Sequence, residues 1–269
     1  MNLLKDKRWC GILLTFPIFF AFIVLTDITL KLPDRTLCLL INSLQRLAFG
    51  CLTMYLIKRI YSRKIKDIFS FKNIRYAFIM SAGFLLYFIY FVVWFGTGIA
   101  SVQGLTVGFL ISEVILQQLA TGFFEEIFFR NLICEGYRFT KGGFPIKLIY
   151  ALISAVLFGT VHVLTGWNTY TFLFTGAFGF AMAVIYLQSG NILLPMIFHS
   201  LIDIFSHLAG YIRYNSSPML SFLNSHSLVM VAVMFAVSFI LLISKGRFGP
   251  CSSSGEHSKP VRLLTEKAK

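Results

Sequence analysis

The chain has 269 residues, 57% of them hydrophobic and 13% charged, with a mean hydropathy of +0.77 and a formal net charge of +13. Soluble domains are about 45–50% apolar and about 25% charged, so the composition excludes a large aqueous domain and indicates an all-α, polytopic membrane protein. The positive charge does not indicate a nucleic-acid partner, because the basic residues flank apolar runs instead of lining one face of a soluble module.

A spanning helix needs about 20 mostly apolar residues. In chain order the sequence predicts about eight: 9–28, 36–57, 76–95, 106–135, 146–164, 170–188, 191–210 and 226–244. The first follows a basic start, Lys5, Lys7 and Arg8, but no small-x-small cleavage site closes it, so it is expected to be a retained helix and not a signal peptide. Arg46 stands in the middle of the second run and must face protein or sit less deeply. The fourth run is about 30 residues long, so it tilts or projects beyond the bilayer. Thr175, Gly179 and Ala183 form a small-residue stripe on the sixth run, suited to close helix packing.

Eight spans put both termini on one side, and the basic residues choose which. The N-terminus, the 58–75 loop, the 138–147 loop and the C-terminal tail hold 3, 7, 3 and 6 of the 24 Lys and Arg residues. The opposite loops hold only Lys31, Arg35 and Arg213. That asymmetry predicts cytoplasmic termini. The 58–75 loop would lie against anionic headgroups, and the tail 247–269 reads as basic and disordered. The expected organisation is a three-span region 1–104, a catalytic core 105–210, a last span 211–246 and the tail. The five cysteines (Cys10, Cys38, Cys51, Cys134, Cys251) have no CxxC or metal-ligand spacing and read as inert thiols.

Three apolar runs carry ionisable residues, which are costly at membrane depth and mark function. The fourth run holds Glu125, Glu126 and Arg130, the fifth holds Phe158 and His162, and the seventh holds His199 and Asp203. Counted at 1.5 Å per residue from the nearest cytoplasmic anchor, Glu126, His162, His199 and Asp203 lie roughly 18, 22, 12 and 18 Å deep, near the middle of an approximately 30 Å core. Convergent carboxylates and imidazoles are the parts of a hydrolytic site. Glu126 and Arg130 are spaced i,i+4 with the acid first, the favourable pairing order. Glu125 projects about 100° away and is the better candidate for a general base. Asp203, one turn after His199, could orient a ring, hydrogen-bond a substrate or ligate a metal. Glu113 and His207 are the remaining intramembrane candidates, with a packing or cavity role as plausible as a chemical one.

The ordered triple Glu125-Glu126-x-x-x-Arg130, Phe158-x-x-x-His162 and His199-x-x-x-Asp203 resembles the CPBP family. Its members are CAAX-processing endopeptidases and bacteriocin-processing or immunity proteins, also called ABI proteins. The resemblance covers roughly residues 120–205. It implies an intramembrane endopeptidase in which Glu125 activates water beside His162, while His199 and Asp203 bind or polarise the scissile carbonyl, with Glu126, Arg130 and Phe158 in support. It implies a peptide or membrane-protein segment as substrate, in the plasma membrane of a bacterium, and leaves the oligomeric state open. Zinc held by His162 and His199 is an open possibility, since the family is grouped with metalloproteases although no HExxH is present. Two other readings use the same residues: a non-proteolytic immunity or sensor-regulating protein, and a transporter or proton relay.

Overall fold

The computed structural model describes residues 6–244. The expected basic tail 247–269 and Cys251 fall outside them. The fold is an all-α membrane bundle built from α1 (Lys7–Thr29), α2 (Arg35–Tyr61), α3 (Ile65–Ile68), α4 (Ile74–Met80), α5 (Ala82–Gly96), α6 (Val107–Phe139), α7 (Phe144–Val161), α8 (Thr169–Ser189), α9 (Leu193–Ala209) and α10 (Pro218–Ile243). Six of these are long and apolar enough to cross a bilayer. The eight predicted spans therefore become six full helices, one bent pair and one shorter helix.

The bent pair is α4 and α5, which meet at 67° at Ser81. Ser81 turns its hydroxyl back onto the carbonyl of Phe78, and Gly83 follows, a combination that breaks helices sharply. Gly83 has a second role: a Cβ there would come 2.7 Å from the Met234 carbonyl and would overlap Ser238 Oγ, so α5 and α10 touch at this glycine. The shorter helix is α9, with 17 residues. It ends at Gly210, and its polar residues His199, Ser200, Asp203, Ser206 and His207 dilute the apolar run.

Helix starts follow local capping chemistry. The side chains of Asp34, Asn168 and Ser217 accept from the backbone N–H groups of Leu37, Thr171 and Leu220, each satisfying one orphan donor of a first turn. The Ser217-Pro218 cap starts α10 eight residues before the predicted 226. The polar run Asn224 to Ser227 lies inside this capped helix.

The long fourth element is continuous from Val107 to Phe139, but it is not uniformly α-helical. Leu110–Leu116 and Ile127–Leu132 are π-helical, and Glu135–Phe139 is a 3₁₀ turn. Wide turns of this kind occur mostly at functional sites, and the second one directly follows Glu126.

The central helix is α8, buried at every residue from Ala177 to Ser189. Gly179 lets α7 approach it, with a Cβ there falling 3.0 Å from Phe158 Cβ, which fits the close packing expected of the small-residue stripe. At one end of the bundle, β1 (Ile99–Val102) pairs antiparallel with β2 (Ile212–Tyr214). Strands of four and three residues are too short to show a two-residue period, so neither was legible in the sequence. At the opposite end, the 62–73 segment is tied down by Asn191, which donates to the carbonyls of Ser70 and Lys72, and by Asn73, which donates to that of Ser189.

A buried network sits nearby. Glu135, fully buried, accepts from Tyr186 at 2.6 Å and Arg138 at 2.8 Å, with Arg63 at 3.4 Å. Lys147 is itself buried and donates to Gln188 at 2.9 Å. It therefore belongs to the packing between α7 and α8.

Candidate active site

Four of the five candidate catalytic side chains converge at the crossing of α6 and α9. The crossing is tight because Gly122 has no side chain: a Cβ there would overlap Ser200 Oγ and lie 3.1 Å from both the Met196 carbonyl and the Ser200 nitrogen. Glu126 is one turn after Gly122, and His199 directly precedes Ser200. The close approach therefore brings the carboxylate to the imidazole.

His199 is the hub. It is buried, and its Nδ1 lies 2.7 Å from Glu126 Oε1. Its Nε2 faces Asp203 Oδ2 at 3.3 Å and Glu125 Oε2 at 3.7 Å. Phe158 and Phe178 stand edge-on to the ring, with centroids 5.5 and 5.1 Å away, so packing fixes its plane.

Glu126 and Arg130 form the i,i+4 pair read from the sequence. Arg130 Nε lies 3.1 Å from Glu126 Oε2, and both side chains are wholly buried. The guanidinium stacks on Phe158 at 4.2 Å from the ring centroid, a cation–π contact that is strongest when desolvated. Its three nitrogens have no hydrogen-bond partner of acceptable geometry. The pair is thus held by charge and by the aromatic face, not by a bidentate fork. Glu126 does more than neutralise Arg130, because its other oxygen makes the shortest contact to His199.

Glu125 differs from its neighbour. Its side chain is 16% exposed, and Oε2 is a buried atom without a hydrogen-bond donor. Asp203 is 26% exposed at the side chain. They are thus the partly exposed carboxylates of the cluster, and both face His199 Nε2.

His162 is the exception. The structure does not bring it within ion-pair distance of Glu125 or of any other carboxylate among the described residues. α7 ends at Val161, His162 caps it, and the exposed ring folds back so that Nδ1 lies 2.7 Å from the Phe158 carbonyl. A carbonyl only accepts, so Nδ1 carries the proton and Nε2 presents a lone pair. The ring also packs on Phe158, with centroids 4.5 Å apart. Phe158 thus touches His162, His199 and Arg130 together.

Among the described residues, no three of His, Cys, Asp and Glu stand together so as to hold a metal ion. Both nitrogens of His199 already face carboxylates, and His162 stands apart.

Glu113 and His207 belong to a second cluster. Arg35 pairs with Glu113 at 2.8 Å, Tyr211 donates to Glu113 at 2.8 Å, and His207 lies 3.9 Å away. These residues line a polar cleft of about 400 Å³ with Ser206 and Gly210.

Arg46 of α2, the arginine in mid-span, donates to Asn42 Oδ1 at 3.2 Å, and its guanidinium lies 5.6 Å from the Phe22 centroid. It therefore faces protein, as its place in the sequence required.

Residues 107–205 match a family model described as Type II CAAX prenyl endopeptidase Rce1-like. The match runs through all three motifs, so the family resemblance read from them is borne out over that segment. No curated protein and no solved structure matches the chain.

Proposed function

We propose, from the Rce1-like match of residues 107–205, that this integral membrane protein is a CAAX-type intramembrane endopeptidase whose water is activated by Glu125. The observation that carries this reading is the convergence of Glu125, Glu126 and Asp203 on His199. Three carboxylates around one buried imidazole are expensive to assemble in a membrane helix bundle. A hydrolytic site gives them a use.

The proposed chemistry assigns each group by what it can donate or accept. Glu125 Oε2 has no donor of its own, so it accepts a proton from water as the oxygen attacks the peptide carbonyl carbon. Negative charge then develops on the carbonyl oxygen. His199, oriented through Nδ1 by Glu126, donates from Nε2 to that oxygen. Asp203 as a carboxylate only accepts, so it orients His199 and does not itself meet an oxyanion. The carbon–nitrogen bond breaks as the proton held by Glu125 passes to the leaving amine. The products are a carboxylate and an amine. His162 Nε2, with its lone pair free, is placed to take a hydrogen bond from substrate or water at the edge of the site.

The proposed substrate is a peptide or protein segment presented within the bilayer, in a protein whose termini and 58–75 loop are expected on the cytoplasmic side from the distribution of basic residues. The test is incubation of the purified protein in lipid nanodiscs with two quenched fluorescent peptides, read by mass spectrometry. One carries a farnesylated cysteine near its C-terminus, and the other is an unprenylated double-glycine leader. Cleavage of either by the wild type, lost in Glu125→Gln with folding intact, is the expected result. Cleavage of the leader alone would point to bacteriocin-type processing. Equal rates in Glu125→Gln and wild type would refute the assignment of the base.

A further inference from the structure

We propose that the segment 58–75 is a docking surface for anionic phospholipids, and that lipid held there bears on the crossing of α6 and α9. The argument starts from the chain. The segment holds seven basic residues and one acid, Asp67. It joins the end of α2 to the start of the bent pair α4 and α5, so it lies where two spanning elements leave the bilayer.

The structure divides the seven cations. Arg63 turns inward to Glu135, at 3.4 Å. Lys58, Arg59, Lys64, Lys66, Lys72 and Arg75 are exposed. Among the described residues, none of these six lies within ion-pair distance of a carboxylate. Two apolar side chains project between them: Phe71 is 74% exposed and Ile65 46% exposed. Unpaired cations interleaved with outward apolar side chains match a phospholipid surface on both counts. The phosphates meet the cations, and the acyl boundary takes Phe71 and Ile65. A soluble anion would satisfy the charges alone.

The segment is also seated on the site's own helices. Ile68 is buried, and Phe69 stacks on Phe123 of α6 with centroids 6.3 Å apart. Phe123 precedes Glu125 by two residues. Asn191 donates to the carbonyls of Ser70 and Lys72, while its Oδ1 accepts from the Leu194 N–H at 3.1 Å, in the first turn of α9. The residues that flank Phe71 are thus held by the start of α9, and Phe69 by α6. These are the two helices whose crossing brings Glu126 to His199.

A simpler role is open to the basic residues: they could serve only to set topology during insertion. The two roles part after folding, because a topology signal leaves the folded protein indifferent to lipid charge. The deciding measurement is a thermal melt of the full-length protein in neutral detergent micelles, with added phosphatidylglycerol or phosphatidylcholine of the same acyl chains. If the surface binds anionic lipid, phosphatidylglycerol raises Tm by about 4 °C more than phosphatidylcholine, and 0.5 M salt removes most of that difference. Lys64→Glu with Lys72→Glu should lose more than half of it. Lys31→Glu with Arg213→Glu, an equal change of charge on the opposite loops, should keep it. Phe71→Ser, which leaves every charge in place, should also shrink it. Equal shifts with the two lipids, or equal losses in the two charge-reversed pairs, overturn the proposal. So does an equal rise with inorganic phosphate or polyglutamate, which would make the surface a site for soluble anions. If the Lys64 and Lys72 reversal does not fold, Lys64→Gln with Lys72→Gln and Phe71→Ser decide the matter. A full lipid difference in both overturns the proposal.

The consequence for turnover rests on the proposed peptidase function. With the farnesylated peptide as probe, kcat should be about threefold higher in phosphatidylglycerol nanodiscs than in phosphatidylcholine ones, and the Lys64 and Lys72 reversal should abolish the difference. A wild type that cleaves nothing in either lipid would count against the peptidase reading and leave the melts to decide the docking surface. Equal kcat in the two lipids, beside a clear difference in Tm, would overturn the link to the crossing.

Discussion

The missing side chain at Gly122 lets α6 and α9 cross closely enough to bring Glu126 to His199. Consider Gly122→Ala. The new methyl would overlap Ser200 Oγ and stand 3.1 Å from the Met196 carbonyl and the Ser200 nitrogen. The hydroxyl can rotate away, but the two backbone atoms cannot, so α6 and α9 must part by a few tenths of an ångström. Overpacking of this kind costs about 1–3 kcal/mol. The same displacement acts on the 2.7 Å contact between Glu126 and His199 and on the 3.7 Å approach of Glu125. Misplacement of about 1 Å can cost on the order of 100-fold in rate, so a loss of about tenfold in kcat is expected here. The assay is peptide cleavage per folded molecule, beside a thermal melt. Two companions make it decisive. Gly122→Ala with Ser200→Ala removes the worst overlap and should regain part of both losses. Gly83→Ala strains the α5–α10 contact, where a Cβ meets the Met234 carbonyl at 2.7 Å, and should lower Tm without lowering kcat. Wild-type turnover in Gly122→Ala, or equal kcat losses at both glycines, would refute the reasoning.

Other substitutions separate charge, geometry and chemistry. Arg130→Met leaves Glu126 as an unpaired buried charge and should destabilise by about 3–5 kcal/mol, read by chemical denaturation in detergent. Arg130→Lys should rescue little of this, because an ammonium cannot reproduce the flat stack on Phe158 at 4.2 Å. Glu125→Gln and Glu126→Gln should part company in a thermal melt: the first keeps its Tm, since Glu125 Oε2 has no partner to lose, and the second drops with its links to His199 and Arg130. Tyr186→Phe withdraws the 2.6 Å donor from buried Glu135, and a cost of about 1–3 kcal/mol is expected without a change in KM.

What the sequence revealed, and where it stopped, has a physical pattern. Features carried by one helix were legible. The i,i+4 spacing of Glu126 and Arg130 predicted their pairing, and that of His199 and Asp203 placed both on one face. Features set by contacts between helices were not legible. The division of the glutamates into one structural and one chemical residue was too simple, because the crossing at Gly122 also gives Glu126 the closest hold on His199. Lys147 is similar: a basic residue at a helix start reads as exposed, and only Gln188 on the neighbouring helix shows it to be buried and paired.

His162 carries the same lesson into a prediction. Its spacing from Phe158 suggested that both face the site, and the structure agrees only in part, because the imidazole bonds back to the Phe158 carbonyl at 2.7 Å and stays clear of the carboxylates. A residue that folds back in this way contributes little to holding the helices together, so His162→Ala should leave Tm nearly unchanged. Its effect on cleavage depends on whether it acts with Glu125 or apart from it. If Nε2 accepts a hydrogen bond from the same water that Glu125 deprotonates, the two act as a unit. His162→Ala should then lower kcat by about 10- to 100-fold, and adding it to Glu125→Gln should cost almost nothing further, since residues that act as a unit are not additive. Losses that multiply in the double variant would place His162 on the substrate and not on the water. A wild-type rate in His162→Ala would remove it from the reaction altogether and leave Glu125, His199 and Asp203 as the whole of the chemistry.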